Sequence, residues 1–462
     1  MTTPLPATIT LNAFTGDDEV SSVTAPEASR WGAKTKMLTR PNLLAPPVVN
    51  PDDWRDPEIG WGVILPEVSD LTAADKAAGV DAPEPVRRLI SARGNAPVLR
   101  CVPGDTEFLT RYYSDGTAQR LVIGNSEFGT GRGRMPLYLL IVGSPTVVPW
   151  DVQFSLNRRQ HVGRLDLPDA ELGNYIDALL TDWAGMSVAP TTPLVWSTAV
   201  DTITTAMQRL VGDFLTTRMS GDPELAVTRR SGAAATCAAL ITALAATTPA
   251  VVVTSSHGKT GPLADPAAMR ATLGSPVDAD HSTLDVDELL GAWTPSGAVW
   301  YSQACCSAGS NNGTSYGGLL QTDSTAFKVV DGVAGLGAAV APLPTRLLGA
   351  DKPLRAFIGH VEPTFDWTLI EPSNGQPLTM PLIEAIYPNL YRRQPIGRAL
   401  QSHYLGVGEL YARLARARDG IDTQEPGARE RATYTKLTAI DRQSLVILGD
   451  PTSMIPALPS TR

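Results

Sequence analysis

Two apolar runs of this chain end in reactive side chains. Residues 249–258 read PAVVVTSSHG and residues 297–306 read GAVWYSQACC, so His257 and Cys305 each follow a stretch of β-branched and aromatic residues. A thiol with an imidazole beside it can transfer acyl groups: the ring takes the thiol proton, the thiolate attacks a carbonyl carbon, and the imidazolium returns the proton to the leaving group. Gly258, directly after the histidine, lets the backbone pass close to a substrate and offers its N–H to an oxyanion. Cys306 is a rival nucleophile. If the strand continues through it, alternation turns the two thiols to opposite sides, and only one of them can face the histidine.

Such a pair needs a scaffold that brings 257 and 305 to one place. Their separation of 48 positions leaves room for one crossover helix and a loop, which predicts neighbouring parallel strands. In an open parallel sheet, ligands bind beyond the carboxyl ends of the strands, where both residues fall. The surrounding pattern agrees. WGVILPE (61–67), APVLRCVPG (96–104), PLYLLIVG (136–143) and PLVWSTAV (193–200) read as strands, and VAGLGAAVAP (333–342) and PLRAFIGHV (353–361) as further ones. Helical spacing is found at 82–93, 169–185, 202–219, 234–247 and 284–293, the last with Asp285 as its cap, and a helix-rich C-terminus begins near 381. Strands alternating with helices predict an α/β sandwich, a mostly parallel sheet with helices on both faces. VAPTTP (188–193) is the best internal boundary, which divides the chain into an N-terminal arm (1–50), a first subdomain (51–190) and a second (191–462).

Bulk properties exclude several classes. The 462 residues suffice for two or three packed units, and the net charge of −9 is spread without a basic block, which argues against nucleic-acid binding. No apolar run is long enough to span a bilayer, and MTTPLPATIT lacks a cationic and an apolar leader region, so a cytoplasmic protein is expected. Four cysteines, two of them adjacent, make no disulfide framework. His161, His281 and His403 lack metal-ligand spacing, and GTGRGR (129–134) lacks the Walker lysine and reads as a loop, so neither a metal nor an organic cofactor is expected.

An apolar strand with S-H-G, some fifty residues, then an apolar strand with Q-A-C resembles the caspase-type cysteine peptidases. Three more segments resemble the gingipain branch: PLYLLIVGSPTVVPW (136–150), HVGRLDLPDAELGNYIDAL (161–179) and DKPLRAFIGHVEPTFDW (351–367). A-C-C-S also resembles the A-C-x-T/S of CHAT-domain peptidases of bacterial defence operons. The resemblance implies a caspase-like α/β/α fold in two caspase-like halves, the second of them catalytic. It implies a Cys305–His257 dyad, an oxyanion hole from the amides of Gly258 and Cys305, and a protein or peptide substrate. It places Asp201 in the primary specificity pocket, with Trp367 as an aromatic wall, which implies cleavage after Arg or Lys. Gln303 and Ser256, beside the two reactive residues, and His360, Glu362 and Asp366, beyond a later strand, are further candidates for substrate binding.

Other roles stand beside these. Asp201 can cap the helix that begins at Thr202, His360 can make a core hydrogen bond, and Glu362 can be a solvated turn residue. The family's glutamate that orients the histidine is matched here by Ser197 and Thr198, which carry no charge. A backbone carbonyl could replace it, an activating protein partner could be required, or the chain could be a silent caspase-like scaffold.

Overall fold

The computed structural model describes residues 7–16, 19–26, 28, 32, 49–371 and 373–459. Three short strands come first: β1 (Thr8–Leu11), β2 (Ala13–Phe14) and β3 (Val20–Val23). The first part of the body contributes β4 (Trp61–Pro66), β5 (Val98–Cys101), β6 (Phe108–Tyr112), β7 (Ala118–Val122), β8 (Tyr138–Val142) and β9 (His161–Leu165). The second contributes β10 (Leu194–Ser197), β11 (Thr228–Ser231), β12 (Val251–Ser255), β13 (His257–Lys259), β14 (Pro276–Val277), β15 (Val299–Gln303), β16 (Gly309–Ser310), β17 (Ala339–Val340), β18 (Ala356–His360) and β19 (Leu445–Gly449).

Twelve of these form one sheet in the order β11-β10-β12-β15-β18-β19-β9-β8-β4-β5-β6-β7. Pairing is parallel except at β18–β19, β5–β6 and β6–β7. Because β19 runs antiparallel to β18 and parallel to β9, the parallel strands of the two parts point in opposite directions. Their carboxyl ends therefore lie on opposite edges of the sheet. The buried Arg93–Asp450 ion pair and the bond from Trp61 Nε1 to Asp450 fasten the end of β19 to the first part.

Strand residues alternate between two apolar layers, as the pleat requires. Trp196, Val252 and Trp300 pack with Leu240 and Leu244 of the helix Cys237–Thr247, whereas Val195, Val253 and Tyr301 pack with Val211 and Leu215 of the segment that follows Asp201. Helices thus cover both faces of a mostly parallel sheet, and the α/β sandwich expected from the sequence is the observed fold class. Full cover also explains why these strands read as unbroken apolar runs.

Three local expectations change. VAGLGAAVAP holds the end of the helix Thr325–Ala334 and only two strand residues. Ala326, Val329, Val330 and Val333 are spaced along one helical face and all are buried, a period that the glycines and alanines after them obscure. The C-terminus carries the helices Gln401–Asp422 and Ala428–Gln443 as expected, but its last apolar run, LVILG, is a central strand. The 202–219 helix forms with a π-helical stretch at Gln208–Asp213.

Candidate active site

Three adjacent parallel strands deliver the site. Ser197 of β10, Ser255 of β12 and Gln303 of β15 share one level of the sheet. Asp201, His257 and Cys305 follow that level by four, two and two residues. The sequence of β10, β11 and β12 starts outward from β10 and then crosses to its other side, so the site lies where the strand order reverses.

Past Ser255 the chain turns into β13, which carries His257, Gly258 and Lys259 and pairs with β14. Gly258 lies against the Cys305 backbone: a Cβ there would sit 1.9 Å from Cys305 O and 2.9 Å from Cys305 N. Only glycine fits. Gly258→Ala must push β13 off Cys305; in an enzyme working through this pair, a misplacement of that size is expected to lower kcat/KM by about 10²-fold. Kinetics and a thermal melt together check this, since the effect on rate should exceed what any loss of folded protein explains.

Both carboxylate oxygens of Asp201 are engaged. Oδ1 accepts from Thr204 N at 2.9 Å and Thr204 Oγ1 at 2.6 Å and so caps the helix Thr202–Met207, while Oδ2 stands 2.5 Å from His257 Nε2. Burial works to raise this carboxyl, but the His257 and Thr204 bonds outweigh it and hold it below its ordinary value. With Nε2 donating to Asp201, Nδ1 is the basic nitrogen, and it has no hydrogen-bond partner. This position was expected to line a specificity pocket; here it is a helix cap that grips the histidine. Ser197 and Thr198, the positions matched to the orienting glutamate, keep buried hydroxyls without partners.

Cys305 is fully buried. Its Sγ accepts from Thr364 N at 3.1 Å and lies 3.8 Å from both Thr364 O and Thr364 Oγ1. Burial pushes the thiol up to about 12, with the Thr364 bonds acting in the opposite direction. In this state the thiol is held by Thr364 and not by the imidazole. Alternation does not decide between the two cysteines, because β15 ends at Gln303. Cys306 itself sits in a left-handed turn (φ 55°) with its N–H donated to Glu362 O at 3.0 Å.

The remaining candidates divide. Gln303 ends β15 and accepts from the Tyr301 hydroxyl, and Ser256 Oγ donates to His257 O at 2.9 Å, so both lie beside the pair but are spent locally. Trp367 shares an apolar cluster with Cys305 and tilts against Tyr434 at 6.4 Å. Asp366 Oδ1 accepts from Trp367 N at 3.0 Å and Thr10 N at 3.3 Å, and burial raises its carboxyl to about 6. His360 is a core residue: its N–H donates to Ser307 Oγ at 3.0 Å, its Nδ1 lies 3.3 Å from Ser444 Oγ, and burial drives its ring down to about 3, so it stays neutral. Glu362 is not solvated either, being 3% exposed.

Burial first, and Asp151 after it, push the Glu362 carboxyl up to about 8. The fold then holds a proton that the unfolded chain releases between about 4.5 and about 8, so this residue's contribution falls as pH rises through that window. Glu362→Gln removes the slope. Its Tm should gain at least about 2 °C on wild type at pH 8 relative to the difference at pH 5, and an equal difference at both values would show that the carboxyl titrates normally.

Sequence reasoning missed Thr364 and two residues of the arm. Phe14 stacks on His257 at 6.3 Å, and Asn12 N donates to Thr364 O at 3.1 Å. A two-residue strand in a Thr- and Pro-rich stretch has no period to read.

Among the described residues there is no group of three or more His, Cys, Asp or Glu arranged to hold a metal ion, and no helix is long and apolar enough to cross a membrane. No protein-family model and no curated protein matches the chain. Among solved structures it is similar to the Arg specific cysteine proteinase gingipain R (RGPB), with a TM-score of 0.47 and 12% identity over 87% of this chain and 80% of that one. It is also similar to the complex of Porphyromonas gingivalis RgpB pro- and mature domains, with a TM-score of 0.44 and 12% identity over 86% of this chain and 80% of that one.

Proposed function

We propose that this chain is a cysteine endopeptidase whose working residues are Cys305, His257 and Asp201. The observation that carries the reading is the Asp201–His257 bond at the reversal point of the sheet, with Gly258 packed on the Cys305 backbone. Asp201 fixes the tautomer that leaves Nδ1 basic. Nδ1 takes the Cys305 proton, the thiolate attacks the scissile carbonyl, and the amides of Gly258 and Cys305 receive the oxyanion. Nitrogen leaves with the proton from His257, and a water activated by the same ring cleaves the thioester. In this reading residues 191–462 carry the chemistry, 51–190 support it, and 1–50 are an arm.

A basic P1 residue remains the proposed preference, on the resemblance of 136–150, 161–179 and 351–367 to gingipain-type sequences. With Asp201 committed to His257, Asp366 is the carboxylate proposed to meet it: an entering guanidinium would favour its ionised form. Peptides with Arg, Lys and neutral P1 residues, offered to the protein at pH 7, test the proposal. No cleavage of any of them by a chain whose Cys305 is freely alkylated would remove it.

A catalytically silent scaffold is the second reading, favoured by the complete burial and raised value of the Cys305 thiol. An active-site-directed electrophile separates the two: an enzyme labels at Cys305 far faster than at Cys101, and a scaffold does not.

A further inference from the structure

The N-terminal arm bonds to the segments that flank the site on both sides. Glu19 Oε2 accepts from Thr202 N at 3.0 Å, next to Asp201. β2 adds itself to β13 in parallel, pairing Ala13 with Gly258 and Phe14 with Lys259, and Thr260 N donates to Phe14 O at 3.1 Å. The Phe14 ring lies between His257, at 6.3 Å, and His281, at 5.3 Å, with Lys259 Nζ 5.0 Å from its centre. On the other wall, Leu11 bridges Phe365 in antiparallel fashion, Asn12 N donates to Thr364 O and Thr10 N to Asp366 Oδ1.

We infer that residues 8–14 lie in the peptide groove of this site as a built-in occupant and hold it closed, with the Asn12–Ala13 peptide bond over Cys305. An extended segment bonded by its backbone to two strand-like walls is how a peptide is held at a sheet edge. Both walls meet at the thiol: Thr364 holds Cys305 Sγ on one side and Gly258 packs on the Cys305 backbone on the other. Ile9, Leu11 and Ala13 are fully buried in the apolar cluster that contains Cys305. Being part of the same chain, the arm competes at an effective concentration on the order of millimolar, which a dilute substrate cannot match without displacing it.

Asn12 shows that the occupant is displaceable. Its side chain is 1% exposed, yet neither Oδ1 nor Nδ2 has a hydrogen-bond partner. A buried carboxamide without partners weakens the seat of the segment that carries it, so the arm is built to leave. Elements held so weakly are those that open locally while the rest stays folded.

The inference rests on the proposed site, but its test needs no hydrolysis. The rate of alkylation of Cys305 by iodoacetamide is followed by mass spectrometry in wild type, Phe14→Ala and Asn12→Leu, with Cys101 as the gauge of unfolding. Phe14→Ala should label at least roughly tenfold faster at Cys305 alone, and Asn12→Leu, which replaces the unpaired amide by an apolar group of similar size, several-fold more slowly than wild type. Unchanged rates in Asn12→Leu, or acceleration at Cys305 and Cys101 in step in wild type as denaturant is added, would overturn the closure. If Phe14→Ala labels fast but cleaves no peptide, the occupied groove stands and the peptidase reading falls.

Discussion

On the proposed function, Cys305→Ala is expected to lower kcat/KM for peptide hydrolysis by at least about 10³-fold, because the covalent step is assigned to this thiol. Cys306 is the control. Its backbone turns into the left-handed region and its amide is taken by Glu362 O, and the proposed mechanism gives it no role. Cys306→Ala should therefore retain the wild-type rate within a few-fold, with its cost read in the thermal melt. The comparison is made in the full chain and repeated on the Phe14→Ala background, where the groove is open and the signal larger. Equal hydrolysis by wild type and Cys305→Ala would end the case for a thiol enzyme on this scaffold.

Asp201→Asn is expected to lower kcat by about 10²–10⁴-fold at every P1 residue, because a neutral amide neither holds the Nε2–H tautomer nor stabilises the imidazolium that forms. The substitution is chosen to spare the fold. Asparagine caps helices as well as aspartate does, and its Oδ1 can keep the bonds from Thr204. A specificity role would give a different signature. Rates on Arg and Lys substrates would then fall while neutral P1 residues were spared, and Cys305 would alkylate as in wild type. Altered P1 preference with neutral P1 residues spared would return Asp201 to the pocket.

Much of this was legible in the order of residues, and the reason is local. β12 and β15 announce themselves as apolar runs because a strand covered on both faces has no polar side to show, and His257 and Cys305 stand out because reactive groups follow directly. Gly258 was legible as a point of close approach, although the neighbour it meets is the Cys305 backbone and the expectation was a substrate. The α/β class followed from alternation of the two periods.

What the order of residues could not decide depends on pairings between distant strands. Asp201 satisfies a helix cap and a histidine at once; the cap shows in the sequence, while the second bond exists only because β10 and β12 align Ser197 with Ser255. His360 ends β18 and Glu362 lies two residues beyond it; β19 pairs with β18 at His360, and both side chains are buried away from the Asp201–His257 pair. Thr364 meets Cys305 across 59 residues, and the arm residues Asn12 and Phe14 reach Thr364 and His257 across hundreds, through single hydrogen bonds, a ring contact and a two-residue strand. Side-chain period and composition act over a few residues, so they fixed which strand ends bear reactive groups; register and burial act between segments far apart in the chain, and they alone determined which of those groups face one another and what lies over them.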